Sequence, residues 1–277
     1  MRDNYDALKT EGRNPRTLHI DRMATLEMVS VMNRENRAVE DAIDEVLPEI
    51  AAAIDLIAAS FEKGGHLIYV GAGTSGRLGV IDAAECPPTF GVDYDLVRGI
   101  IAGGDSAMFR ATENAEDNEA WGARTIRESD IREGDVVCGL SAAGRAPFVL
   151  GAMKAARELG AHTVGITCNK NTLLHEVCDI TIDPYVGPEV ISGSTRLKAG
   201  TAQKLVLNML STGAMIKTGK VYGNLMINVK PTNEKLVERA TRILMEISGC
   251  DRATAERLIA KHGEIRASLA ELGVDLA

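Results

Sequence analysis

Two short segments of the chain place glycines and hydroxyl side chains directly after apolar, strand-like runs. In Gly71-Ala-Gly-Thr-Ser-Gly-Arg77 the glycines let the backbone approach a ligand, and Thr74 and Ser75 add hydroxyl donors, with Gly76 completing the expected contact. A parallel sheet binds ligands beyond the carboxyl ends of its strands, where the next helix offers unbonded N–H groups to an anion. Leu140-Ser-Ala-Ala-Gly-Arg-Ala-Pro147 repeats the design: a strand end, a serine, small residues, and a proline that opens a helix. Ser141 and Gly144 are the candidates there. A phosphate held between Ser75 and Ser141 accounts for both loops, with Arg77 or Arg145 available to add charge. A tight turn without a ligand accounts for either loop alone. The GK[ST] ending of a P-loop is missing, and no acid stands at a strand end where a dinucleotide ribose needs one.

The acids form a second group. In Asp82-Ala-Ala-Glu-Cys-Pro-Pro88 the proline pair is expected to end the helix that begins near Ser75, which puts Glu85 in its last turn. The negative end of the helix dipole raises a carboxyl pKa there, as a general acid near neutral pH requires. An exposed glutamate beside a turn fits the same pattern. Asp105, Glu113, Glu116 and Asp117 follow the second strand and a short helix. Any of them could cap a helix start, and spacing alone does not single out Glu116. Histidines 19, 66, 162, 175 and 262 are scattered and read as structural. Five cysteines form no CxxC pair. No metal site and no Ser-His-Asp set can be assembled, so neither metal nor cofactor is expected.

The elements that must position these residues alternate. HLIYV (66–70), VRGIIAGG (97–104), DVVCGLS (135–141), HTVGITC (162–168) and DITID (179–183) read as five strands separated by helical stretches such as 147–159. This pattern predicts a doubly wound parallel α/β sheet covered on both faces. Ahead of it lie a polar arm (1–18), a helix near 20–33, and one long helix whose apolar face recurs from Val39 through Ile43, Leu47, Ile50, Ile54 and Ile57 to Phe61. Residues 198–218 are helical and mostly apolar, to be buried against the sheet or a second subunit. Residues 231–277 carry only helical patterns, broken near Gly249 and Gly263. The expected division is an arm and helix (1–40), a ligand-binding domain (41–225) and a small helical region (226–277).

Composition narrows the function. The chain has 277 residues, 45% hydrophobic and 25% charged, with a formal net charge of −8. Without a basic cluster, nucleic acid is not an expected partner. The acidic balance gives no long-range help to an anionic metabolite, so backbone amides and a few placed cations must hold it. No apolar run reaches membrane-spanning length and the start lacks a signal-peptide core, so a cytoplasmic protein with no membrane partner is expected.

Three long strings, GAGTSGRLGVIDAAECPPTFG (71–91), IAGGDSAMFRATENAED (101–117) and ISGSTRLKAGTAQKLVLNMLSTG (191–213), together with TEGRN (10–14), resemble the N-acetylmuramic acid 6-phosphate etherase family. The resemblance implies a SIS (sugar isomerase) fold, a homodimer, no cofactor, and a lyase that cleaves the lactyl ether of a phosphorylated amino sugar. It implies two catalytic glutamates, which fall by motif on Glu85 as acid and Glu116 as base. Ser75 and Ser141 match positions that hold sugar phosphates in related SIS proteins. Two alternatives remain: a sugar-phosphate-sensing regulator resembling the glucokinase regulatory protein, and an aldose–ketose phosphate isomerase. The first has two SIS domains where this chain has room for one, and the ECPPTF string argues against the second.

Overall fold

The computed structural model describes residues 9–112, 114–231 and 233–274. Glu113 and the first eight residues of the expected arm lie outside them. Five strands, β1 (Leu67–Gly71), β2 (Val97–Ile101), β3 (Val136–Leu140), β4 (His162–Ile166) and β5 (Ile180–Ile182), form one parallel sheet in the order β2-β1-β3-β4-β5. β1 and β3 are buried along their whole length, which is why both read as continuous apolar runs rather than as alternation.

One face of the sheet is covered by α1 (Thr25–Asp44), α2 (Leu47–Glu62), α3 (Gly73–Phe90) and α7 (Lys198–Lys217). The other carries α4 (Glu119–Arg127), α5 (Pro147–Glu158) and α6 (Leu174–Val177). α8 (Glu234–Ser248), α9 (Arg252–His262) and α10 (Ile265–Glu271) build an apolar cluster of their own with Ile227 and Val229. Gly249 and Gly263 end α8 and α9 in the left-handed conformation, as the breaks in the pattern require.

Three expectations are corrected. The single long helix expected to carry the face from Val39 to Phe61 is two, because Pro48 in the first turn of α2 cannot donate into a continuing ladder. The helix expected at 20–33 starts later, at Thr25, after a 3-10 turn over Ile20–Arg22. The proline pair does not end α3. Pro87 and Pro88 lie inside it, Pro87 and Phe90 are buried, and the helix closes on Gly91, whose N–H donates to the Pro87 carbonyl at 2.9 Å. Proline fixes a φ that suits a helix, so α3 loses two ladder bonds there but keeps its course while burial holds its end down. Glu85 is therefore five residues short of the helix end, not in the last turn.

The apolar helix expected near 198–218 is α7, packed within the chain against α1, α2 and α3. Its N-terminus is bound by Glu189, which accepts from the Lys198 and Ala199 amides at 2.9 Å each. Burial raises the pKa of this carboxyl. Lys198 itself is 1% exposed and pairs with the buried Glu35 of α1 at 3.2 Å. Glu35 also takes bonds from Arg16 and, at 2.6 Å, from Asn14. The Arg16 guanidinium leads in holding the Glu35 carboxyl down, at about 2.

Candidate active site

In the strand order the chain turns back at β1: β2 lies on one side of it and β3 on the other. Doubly wound sheets bind ligands at such a switch point, beyond the strand ends. Gly71 ends β1 beside Leu140, which ends β3. Both serine loops leave from this point and face one cavity of about 390 Å³.

The first wall is the start of α3. Its N-cap, Ala72, supplies no side-chain cap, so the first-turn amides of Gly73, Thr74 and Ser75 keep their bonding capacity. Ser75 is nearly buried, and its hydroxyl donates to Gln203 Oε1 on α7 at 2.8 Å. The second wall is the loop after β3. Ser141 Oγ accepts from the Arg145 and Ala146 amides at 3.3 Å each. α5 also starts without a side-chain cap, with Pro147 in its first turn. Glu116 enters from the loop before α4, pinned by its own carbonyl, which accepts from the Phe148 amide at 2.9 Å. Asn118 caps α4 by accepting from the Trp121 amide at 2.8 Å.

A further wall lies far away in sequence. Residues 9–17, expected as a polar arm, form a strap docked by buried polar groups. The Thr10 hydroxyl accepts from Asn169 Nδ2 at 3.0 Å, and the same Nδ2 donates to the Ala142 carbonyl of the second serine loop at 3.0 Å. Thr17 donates to the Val190 carbonyl at 2.9 Å, and Ser192 to that of Gly12 at 2.9 Å. Glu11 is thereby delivered to the cavity beside Gly193 and Thr195.

Thr74, Ser75, Ser141 and Glu116 thus share one cavity. Gly76 and Gly144 stand behind it. A side chain at Gly76 would meet the Gly71 carbonyl oxygen at 2.7 Å, so this glycine seats α3 on β1. Gly144 has φ +68°, and a Cβ there would lie 2.4 Å from the Thr172 Cβ. Glu85 is exposed on α3, ten residues past Ser75 and about 15 Å along the helix axis. It does not line the cavity. Glu11, Thr195 and Gln203 were not singled out from the sequence. The signal for Gln203 was a carboxamide on the apolar face of α7, between Ala199, Ala202 and Val206.

Among the described residues, Glu11, Glu116 and Asp117 put carboxylates on this cavity and Arg145 alone adds a cation. An anion placed there would meet amides and hydroxyls more than net positive charge. No cluster of three or more His, Cys, Asp or Glu placed to hold a metal occurs among the described residues. Burial pushes the Cys86 thiol up to about 12 and raises those of Cys138 and Cys168, which leaves them inert as nucleophiles. His66 and His175 pair with Asp135 and Asp183, contacts that sequence spacing does not reveal.

Residues 49–157 match the glucokinase regulatory protein N-terminal SIS domain, and residues 121–213 match the SIS domain. Solved structures with this fold include the phosphoheptose isomerase of Neisseria gonorrhoeae (TM-score 0.54, 20% identity, 69% of this chain and 98% of that one). That of Francisella tularensis has a TM-score of 0.52 at 18% identity, over 70% of this chain and 100% of its own. The fold is that of a SIS-domain protein. The chain is also 54% identical to the N-acetylmuramic acid 6-phosphate etherase of Pasteurella multocida (strain Pm70), over 100% of its own length and 92% of the relative's. It is 56% identical to the etherase of Serratia proteamaculans (strain 568), over 94% and 88%. The chain belongs to the N-acetylmuramic acid 6-phosphate etherase family.

Proposed function

We infer that this chain is a lyase that cleaves the D-lactyl ether of N-acetylmuramic acid 6-phosphate, yielding N-acetylglucosamine 6-phosphate and D-lactate. The observation that carries the reading at the level of the site is the pair of uncapped helix starts at the switch point, with Ser75 and Ser141 facing Glu116 across one cavity. In the open-chain sugar the C2 hydrogen is α to the aldehyde and the lactyl ether stands at C3. Glu116 takes the C2 proton, and a second carboxyl protonates the departing lactate oxygen. Water then adds at C3 of the unsaturated aldehyde. Both steps are proton transfers suited to carboxyl groups.

Glu85 is the proposed acid, and its position shapes the proposal. From its exposed site on α3 it serves the cavity of a second copy, with its own chain's cavity served in return by symmetry. The active form is then a homodimer. The exposed Ile81 one turn earlier on α3 supports that face as the contact, and the exposed Arg196 and Lys204 stand available to ligand or partner. The arm-and-helix (1–40), sugar-phosphate-binding (41–225) and helical (226–277) division belongs to the same reading, supported by the separate apolar cluster from Ile227 to Leu269. So does a cytoplasmic setting, supported by five free cysteines. No helix among the described residues is long and apolar enough to cross a membrane.

The test follows D-lactate release and exchange of the C2 hydrogen in deuterated water. Glu116→Gln should stop both, and Glu85→Gln should stop lactate release while exchange persists, each loss being about 10²–10⁴-fold. The opposite pattern reverses the two roles, and full activity in both variants removes the site. A regulator shows neither reaction in the wild type. An isomerase exchanges C2 and leaves the ether intact.

A further inference from the structure

A serine hydroxyl carries one hydrogen and so can donate one bond. Ser75 gives that hydrogen to Gln203 Oε1, inside the protein, at 2.8 Å. A Ser75 that holds its hydrogen toward α7 can only accept on its cavity side, and a phosphate oxygen offers nothing to accept. The partner's other end is equally out of balance. Gln203 is 1% exposed, and its Nε2 has no hydrogen-bond partner among the described residues. A buried donor without an acceptor is costly, and it lies on the same carboxamide that ties up the serine.

One motion gives both donors an acceptor, at the smaller cost of moving the carboxamide oxygen to the unpartnered side. A carboxamide turned by half a rotation about its last torsion exchanges its oxygen and nitrogen in nearly the same volume. Nε2 then donates to Ser75 Oγ, and the hydroxyl hydrogen is released into the cavity. We propose that Gln203 is a positioning residue for the phosphate end of the substrate, its carboxamide rotating as phosphate binds so that Ser75 changes from a donor toward α7 into a donor toward the ligand. The inference rests on the reading of Ser75 as a phosphate contact and adds its specific support. The chemistry needs a side chain that can both accept and donate at one place. Glutamate at neutral pH can only accept, whereas protonated glutamate recovers a donor.

The experiment measures binding of inorganic phosphate to the full-length protein by calorimetry, with thermal melting to establish folding. The variants are Ser75→Ala, Gln203→Glu, Gln203→Met and the double variant Ser75→Ala/Gln203→Glu. Gln203→Glu should weaken phosphate about tenfold or more at neutral pH, relative to wild type. The ratio should shrink at acid pH as the carboxyl takes a proton, a recovery that loss of packing does not give. Gln203→Met, of similar volume, removes acceptor and donor together, so it should weaken binding less than Gln203→Glu and show no acid recovery. In the Ser75→Ala background Gln203→Glu should add little, because Gln203 acts through that serine. If Ser75→Ala weakens binding while Gln203→Glu binds as wild type, shows no acid recovery, or adds its full effect in the double variant, the role of Gln203 is overturned. If Ser75→Ala itself binds phosphate as wild type, the phosphate reading of Ser75 fails and this inference falls with it.

Discussion

The two serine loops face the same cavity and look alike in sequence, yet they are built on opposite plans. The loop after β3 is self-sufficient: Ser141 accepts from amides four and five residues ahead, in its own turn, which leaves its hydrogen free. The loop after β1 is finished from outside. Ser75 is engaged by Gln203, 128 residues later in the chain, and Gln203 sits where it does because Lys198, Glu189 and Glu35 fix the start of α7. One proposed phosphate contact is local and preset, whereas the other is only as good as the packing of a distant helix.

The sharpest way to break this contrast is Glu35→Gln. It leaves Lys198 charged and buried without its partner, which should cost about 3–5 kcal/mol and displace the start of α7. Thermal melting should show the loss, and phosphate affinity should become insensitive to Ser75→Ala while staying sensitive to Ser141→Ala. The same variant sharpens a pH prediction. Glu35 has its pKa lowered from an ordinary 4.5 to about 2, with the Arg16 bond as the leading cause. Its contribution to stability is complete above about 4.5 and is lost as pH falls toward 2. Glu189, raised by burial, has the opposite sign and contributes most in acid. Subtracting the acid melting profile of Glu35→Gln from that of wild type should isolate the Glu35 part.

Next in size, Gly144→Ala should damage the local loop. A left-handed backbone costs a non-glycine residue about 1–3 kcal/mol, and the added methyl meets Thr172 as well. Phosphate binding should fall while the Gln203–Ser75 contact is untouched, so Ser75→Ala should retain its full effect in this background. The smallest change is the pair of serine deletions. Each should weaken phosphate by about 1–3 kcal/mol, read by calorimetry. Ser141→Ala should lower the melting temperature more than Ser75→Ala, because it strands two amides of its own loop.

The local plan was legible in the sequence and the distant one was not. Strand ends at Gly71 and Leu140, the serines after them and the proline opening α5 are all encoded within a few residues, so periodicity and turn chemistry find them. Thr74, Ser75, Ser141 and Glu116 line one cavity, though only the family resemblance, not local spacing, points to Glu116. Nothing near Ser75 announces Gln203, and nothing near Glu11 announces its wall, since both contacts exist only after the chain has folded. The end of α3 misled for a related reason: two adjacent prolines signal a stop locally, and the burial of Phe90 overrides them. That difference moves Glu85 away from the dipole argument and into a question of assembly.

The strap over the cavity also carries a schedule. Thr10, Gly12 and Thr17 precede their partners Asn169, Ser192 and Val190 by 159, 180 and 173 positions. Closing such long spans pays its entropy before any contact rewards it, so these bonds form late. The strap is therefore expected to settle last, and it settles on Asn169, whose Nδ2 also donates to the Ala142 carbonyl beside Ser141. A chain can hold its sheet and both helical layers and still lack one side of its cavity. Were the strap to undock, the sheet and its two helical layers would keep their own contacts while the cavity lost the wall that carries Glu11.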